Sequence, residues 1–211
     1  MIKPYPNSDE ALLLEFLIEI PEMFSSRRKI KPNPREEKGQ AEICELIRSA
    51  KSKPISPSTP TTVPDHAVSV ILGACYKIDE QRWDQIKLEH QYSMIAENLV
   101  GELLERYIDH ISKKNNLGWF RAWGDIVKSV DFIKKTDGGW LLLQIKNRDN
   151  SENSSSQSVR NGTNIIKWFR TFSKSGKTNW ENFPDPVFTN FASEHGFLKY
   201  IDTILSNGNK S

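Results

Sequence analysis

Hydrophobic positions in the first part of the chain recur at helical spacing. Leu12, Leu13, Phe16, Leu17 and Ile20 follow Ser8-Asp9, a pair suited to an N-cap, and Pro21 closes the run, so a first helix is predicted over about 9–20. Residues 25–40 are polar and proline-bearing, and 51–64 hold four prolines; both read as loops or linkers, with a short helix around 40–50 between them. The stretch 65–78 (DHAVSVILGACYKI) is small and apolar, open to a helix or a buried strand, with helix the favoured reading. The longest helical pattern runs from about Asp84 to Ile111. There Leu88, Tyr92, Ile95, Leu99, Leu103 and Tyr107 step by three or four and form a stripe expected to face a core.

Beyond residue 130 the period shortens. Phe132-Ile133 and Leu141–Ile145 are brief apolar runs on either side of Lys134-Lys135-Thr136-Asp137-Gly138-Gly139, whose Asp-Gly-Gly is a hairpin-turn signal. Side chains alternate along a strand, so Gln144 and Lys146 share one face, joined by Arg148 if the strand persists, while Leu141, Leu143 and Ile145 point the other way. Residues 149–163 are too polar for a core. NIIKWFRTF follows, and its Ile165, Ile166, Phe169 and Phe172 predict a helix over about 163–173.

Composition narrows the class. The chain has 211 residues, 37 % hydrophobic and 27 % charged, enough to fold as a single catalytic unit and too apolar for disorder. A formal net charge of +2 says little about partners, but charge is uneven: Trp140–Trp180 holds seven Lys or Arg against two acids, whereas residues 1–60 hold ten against nine. Cys44 and Cys75 form no CxxC or Cys/His cluster, so neither a disulfide framework nor structural zinc is indicated, and a reducing cytoplasm is the expected location. The N-terminal apolar run is broken by Glu15 and Glu19, unlike a signal peptide, and no stretch reaches the 18 apolar residues of a membrane span.

Candidate chemistry sits on the predicted hairpin. Metal-dependent phosphodiester cleavage needs carboxylates that hold Mg²⁺ and usually a lysine beside the attacking water. Asp131 lies at the first strand, and after twelve intervening residues Gln144-Ile145-Lys146 ends the second. This arrangement resembles the PD-(D/E)XK nuclease superfamily, whose pattern is an Asp, a hairpin turn, then acid-x-Lys. Asp131 and Lys146 match; Gln144 stands where an acid is usual, offering an amide oxygen without charge. The resemblance implies a further acid on the preceding long helix, for which Glu97 is the candidate, with Gly101 one turn later allowing close approach. The run LLQIKNRDNSENSSSQSVRNGTNIIKWFR resembles restriction endonucleases of the SinI and AvaII group, which cut double-stranded DNA at GGWCC; the likeness covers Asp125–Phe183.

That resemblance implies an α/β fold with a restriction-endonuclease-like core, a small mixed β-sheet flanked by helices. Residues 1–64 are read as an N-terminal helical appendage with a proline-rich linker, and 65–211 as the nuclease domain. It also implies metal ligation by Asp131, Gln144 and Glu97 with Lys146 catalytic, Mg²⁺ as cofactor, a homodimer on a near-palindromic site, and a cognate DNA methyltransferase as functional partner. The segment after Lys146 is expected to lie over DNA. Arg148, Asn150, Glu152, Asn153, Ser155 and Arg160 are of types that read base edges or phosphates, and Asn161 and Thr163 would open a helix toward a phosphate, with Lys167 and Arg170 one and two turns on. Each has a plainer alternative: a hairpin-edge acid for Asp131, a hydrogen-bonding neighbour for Gln144, a solvated helix glutamate for Glu97, an ordinary Ser/Asn loop, and a solvated face for Lys167 and Arg170. The histidines are assigned no chemistry, and the six tryptophans, Trp119, Trp123 and Trp168 among them, are read as core or interface anchors in preference to base-stacking platforms. A structure-selective repair or junction nuclease of the same fold, and a DNA-binding protein that has lost cleavage, are the alternatives in function.

Overall fold

The computed structural model describes residues 9–25, 31–55, 59, 65–123, 126–150 and 164–208. They divide into two compact units, Met1–Lys53 with Leu103–Ser211, and Pro54–Glu102.

The first unit is built on a four-stranded sheet in the order β1 (Trp119–Arg121), β2 (Phe132–Thr136), β3 (Gly139–Arg148), β4 (Ile165–Thr171). The hairpin is where the turn signal placed it: β2 and β3 are antiparallel, with Phe132 opposite Leu143 and Thr136 opposite Gly139. Gly139 takes φ 110°, a conformation that only glycine adopts without strain. β1 is antiparallel to β2, and β4 is parallel to β3, making the sheet mixed.

The predicted helix over 163–173 is therefore corrected to a strand. Ile165, Ile166, Trp168, Phe169 and Thr171 are β-branched or aromatic, and the regular segment is seven residues long, short for a helix. Sheet pairing to β3 overrides the helical spacing of its apolar residues.

Both faces of the sheet are covered, and that decides which residues are buried. On one face Ile133, Leu142 and Ile165 form a row that packs with α1 (Asp9–Glu19) and α2 (Glu37–Lys51) through Leu13, Phe16, Leu17, Ile43 and Ile47. The segment expected as an appendage thus contributes two helices to this core. The other face carries an aromatic cluster in which Trp168 meets Trp180 and Phe183, Phe183 meets Trp119, and Tyr107 meets Trp180 and Phe197. Phe197 comes from the C-terminal helix α5 (Glu194–Gly208). Trp119, Trp123 and Trp168 are buried, as core anchors should be.

The second unit contains α3 (His66–Tyr76) and most of α4 (Trp83–Lys114), whose C-terminal part from Leu103 belongs to the first. Asp65 caps α3 by accepting from the Ala67 N–H at 2.9 Å. Gly73 lets the helix lie against the Trp83 indole, since a Cβ there would stand 2.7 Å from a ring carbon. Among the described residues, no helix is long and apolar enough to cross a membrane.

Candidate active site

The end of β3 gathers the polar groups. Asp131 stands just before β2, whose first residue Phe132 pairs with Leu143, and Gln144 follows Leu143 on β3. Main-chain hydrogen bonds hold Asp131 from both sides: its N–H donates to the Leu143 carbonyl at 2.9 Å, and its carbonyl accepts from Ala122 at 2.8 Å. Its carboxylate accepts from the Ile145 N–H at 2.7 Å. Lys146 follows two residues after Gln144 on the same face of β3, and parallel pairing adds Lys167 beside Gln144 and Phe169 beside Lys146.

The electrostatics fit a cation. Burial, the largest influence, raises the Asp131 carboxyl above the ordinary carboxylate range; the Ile145 N–H and the charges of Lys146 and Arg121 pull downward without reversing it. Gln144 is buried at 2 % exposure. A poorly solvated carboxylate bonded to the main chain next to a buried amide would offer oxygen donors of the hard kind that Mg²⁺ accepts. No group of three or more His, Cys, Asp or Glu that could hold a metal ion occurs among the described residues.

A neighbour that sequence reasoning missed is the pair Arg121–Glu105. Glu105, on α4 within the first unit, accepts from Arg121 Nε at 3.0 Å and Nη2 at 2.7 Å. The guanidinium is buried and stacks 4.8 Å from the Trp123 ring centroid, and its charge reaches Asp131. Nothing in the spacing of α4 revealed which of its acids would lie on this side. Glu97, eight residues earlier, is exposed and belongs to the second unit, and Gly101 has open space around its Cα instead of a close neighbour.

The expected DNA-contacting residues separate into three groups. Arg148 and Asn150 are exposed at the end of β3. Glu152, Asn153, Ser155, Arg160, Asn161 and Thr163 lie outside the described residues. Lys167 and Arg170 stand on β4, not on successive helical turns, and the helix that Asn161 and Thr163 were to open is replaced by that strand. Arg170 is used internally: Nε and Nη2 donate to Asn147 Oδ1 at 3.0 and 2.9 Å, Nη1 pairs with Glu194, and the guanidinium covers the Phe197 ring. Arg170 is expected from the sequence to meet a phosphate from a helix, or else to lie on a solvated helix face; instead it stands on a strand and its donors hold β3, β4 and α5 together.

Comparison with known proteins identifies the family. The sequence model of a family described as SinI restriction endonuclease matches residues 8–207. The type II restriction enzyme Eco47I of Escherichia coli is 43 % identical over 209 residues, covering 97 % of this chain and 89 % of the relative. The type II restriction enzyme SinI of Salmonella infantis is 42 % identical over the same shares.

Proposed function

The chain belongs to the SinI restriction endonuclease family and is a type II restriction endonuclease, and on that premise we propose that it cuts double-stranded DNA at a GGWCC-like site, as a homodimer, with Mg²⁺ as its cofactor. The single observation that carries the catalytic part is the undersolvated Asp131 carboxylate, which accepts from the Ile145 N–H between Gln144 and Lys146 at the end of the hairpin.

Asp131 and the Gln144 carbonyl oxygen would hold the ion. An α4 carboxylate would restore the charge that Gln144 lacks: Glu97 on the pattern of the superfamily, or Glu105 on its shared unit with Asp131 and its link to Arg121. When bound, Mg²⁺ supplies the charge that polarises the scissile phosphate and acidifies the attacking water. Lys146 holds that water and meets the negative charge that develops on the phosphoryl oxygens, and the polar positions Arg148 and Asn150 continue beyond Lys146 toward the DNA. No covalent enzyme intermediate is required. Two copies on a two-fold site would each cut one strand, and a methyltransferase of the same specificity would protect the host sequence.

The test is digestion of unmethylated phage DNA with purified protein and Mg²⁺, followed by sequencing of the fragment ends. Discrete fragments ending in GGWCC, lost with EDTA, are expected. Random nicking would favour a structure-selective nuclease, and binding without cutting would make the chain a non-cleaving reader of its site.

A further inference from the structure

The apolar stripe of α4 meets the expected core only from Leu103 onward: Leu103 and Tyr107 are buried, whereas Leu88 and Tyr92 are 45 % and 51 % exposed. The same C-terminal part of α4 borders a cleft of about 530 Å³, lined by its Arg106, His110, Lys113 and Lys114, by Trp123, and by Tyr200 of α5. All of these belong to the first unit. One acid, Asp109, joins them, so three Lys or Arg line the cleft against a single carboxylate. The cations are held in place. Arg106 Nη2 donates to the Lys53 carbonyl at 2.8 Å, and Lys113 Nζ lies 2.8 Å from Asp9 Oδ2 and 2.7 Å from Asp109 Oδ2. Lys51 and Lys113 each stand 5.7 Å from the Trp123 ring centroid and Arg121 stands 4.8 Å from it, so one indole gathers three cations. Trp123 takes φ 55°, a backbone conformation that is costly for a bulky residue and clusters at functional sites. Its Nε1 is also buried without a hydrogen-bond partner among the described residues, as is Asp109 Oδ1. Buried polar atoms are nearly always paired in a folded protein, and an indole N–H can only donate. Excess positive charge beside an unsatisfied donor is the complement of an anion.

Position in the sheet identifies which anion. Trp123 follows Ala122, whose N–H donates to the Asp131 carbonyl at 2.8 Å, so the cleft begins one residue beyond the main-chain partner of Asp131. β1 ends at Arg121, β2 begins at Phe132 and β3 ends at Arg148, and antiparallel pairing brings these three termini to one end of the sheet. β1 stands two strands from β3, about 10 Å at the usual strand spacing. Phosphates of one DNA strand rise about 3.4 Å each along the axis, so that offset corresponds to about three nucleotides. We propose that the cleft walled by Arg106, Lys114 and Trp123 binds a backbone phosphate of the substrate duplex about three nucleotides from the one that is cut, a contact outside the basic segment Trp140–Trp180 and blind to base sequence. The proposal rests on the functional reading for where the scissile phosphate lies, and not for the anion chemistry of the cleft.

The test titrates the full chain, in EDTA to block cutting, onto a cognate duplex in which single phosphates are replaced one at a time by uncharged methylphosphonate. The wild type should lose affinity at a phosphate about three nucleotides from the cut, as well as at those nearest the basic segment. Lys114→Ala, at an exposed position, and Arg106→Ala should each weaken binding several-fold, lower the salt slope by about one, and lose sensitivity to that methylphosphonate while keeping it at the others. Sensitivity preserved in both variants, or absent from the wild type at that distance, would overturn the proposal and leave the cations as partners of Asp9 and Asp109. Arg106→Ala also loses the bond to the Lys53 carbonyl, so an effect confined to it, with Lys114→Ala binding as wild type, would be structural and would equally overturn the cleft. Because the contact carries no sequence information, Lys114→Ala should weaken binding to a random duplex by the same factor as to the cognate. A chain that loses this affinity in Lys114→Ala but neither prefers nor cuts GGWCC would support the cleft while overturning the functional reading. A chain that cuts GGWCC while Lys114→Ala binds as wild type would do the reverse.

Discussion

Lys146 shares a strand face with the Gln144 amide and its charge reaches the Asp131 carboxyl, so it is the natural complement to a phosphate undergoing attack. Lys146→Ala is expected to abolish cleavage while specific binding and folding persist, because the proposed work of the side chain is confined to the reacting group; single-turnover cleavage beside a binding titration measures both. The α4 carboxylate is separable in the same way. With Gln144 neutral, the acid that completes the metal site should be indispensable, and its change to Gln should cost at least a hundredfold in rate, about 2.7 kcal/mol. Glu105→Gln and Glu97→Gln are compared across Mg²⁺ concentrations: the one whose rate falls and partly recovers at high Mg²⁺ or with Mn²⁺ is the ligand, and no change in either places both outside the metal site. Gln144→Glu should keep activity or lower the Mg²⁺ requirement. The polar face of β3 was legible because strand alternation fixes the shared face of Gln144 and Lys146 from sequence alone. The Arg121–Glu105 pair was not, because helical spacing says which residues share a side of α4 but not which side meets the sheet.

At the scale of elements, the hairpin turn, α1 and the length of α4 could be read directly, since each carries its own period and its own stop signal. β4 could not, because Ile165, Ile166, Phe169 and Phe172 satisfy helical spacing and the strand is selected by pairing with β3, a partner that local spacing does not contain. Long-range ties of this kind also fix β1 and β2 to the segment before α5. Burial opposes ionisation of Asp185, yet hydrogen bonds from Lys134 and Trp119, at 2.7 and 2.9 Å, hold its carboxyl below the usual range. A carboxyl depressed in the folded state contributes stability above its unfolded value and loses it as pH falls through the folded one. Asp185→Asn should therefore lower stability at neutral pH by about 1–3 kcal/mol, leaving Lys134 without its anion. The difference from wild type should shrink as pH drops below about 4, where the unfolded carboxyl is protonated. Urea unfolding at several pH values checks it, and a constant difference across pH would mean that Asp185 acts through packing and not through charge.

Across the whole molecule, a net charge of +2 conceals two regions of opposite sign: residues 65–102 are acidic, and Trp140–Trp180 is basic. The basic segment is the part of the chain suited to a polyanion, and DNA affinity is expected there. Binding that neutralises phosphates releases counterions, so the logarithm of the association constant should fall linearly with the logarithm of salt concentration. Measured in EDTA to prevent cutting, the wild type should show a steep slope on cognate and random duplexes alike, with tighter binding to the cognate. Arg148, exposed where β3 ends, discriminates between two kinds of contact. If it meets a phosphate, Arg148→Ala should weaken binding to both duplexes and reduce the slope by about one. If it reads a guanine edge, the loss should fall on the cognate duplex, about 1–3 kcal/mol, with random binding little changed. A wild-type affinity independent of salt would remove the basic region from the interface, and Arg148 would then be a solvated strand end.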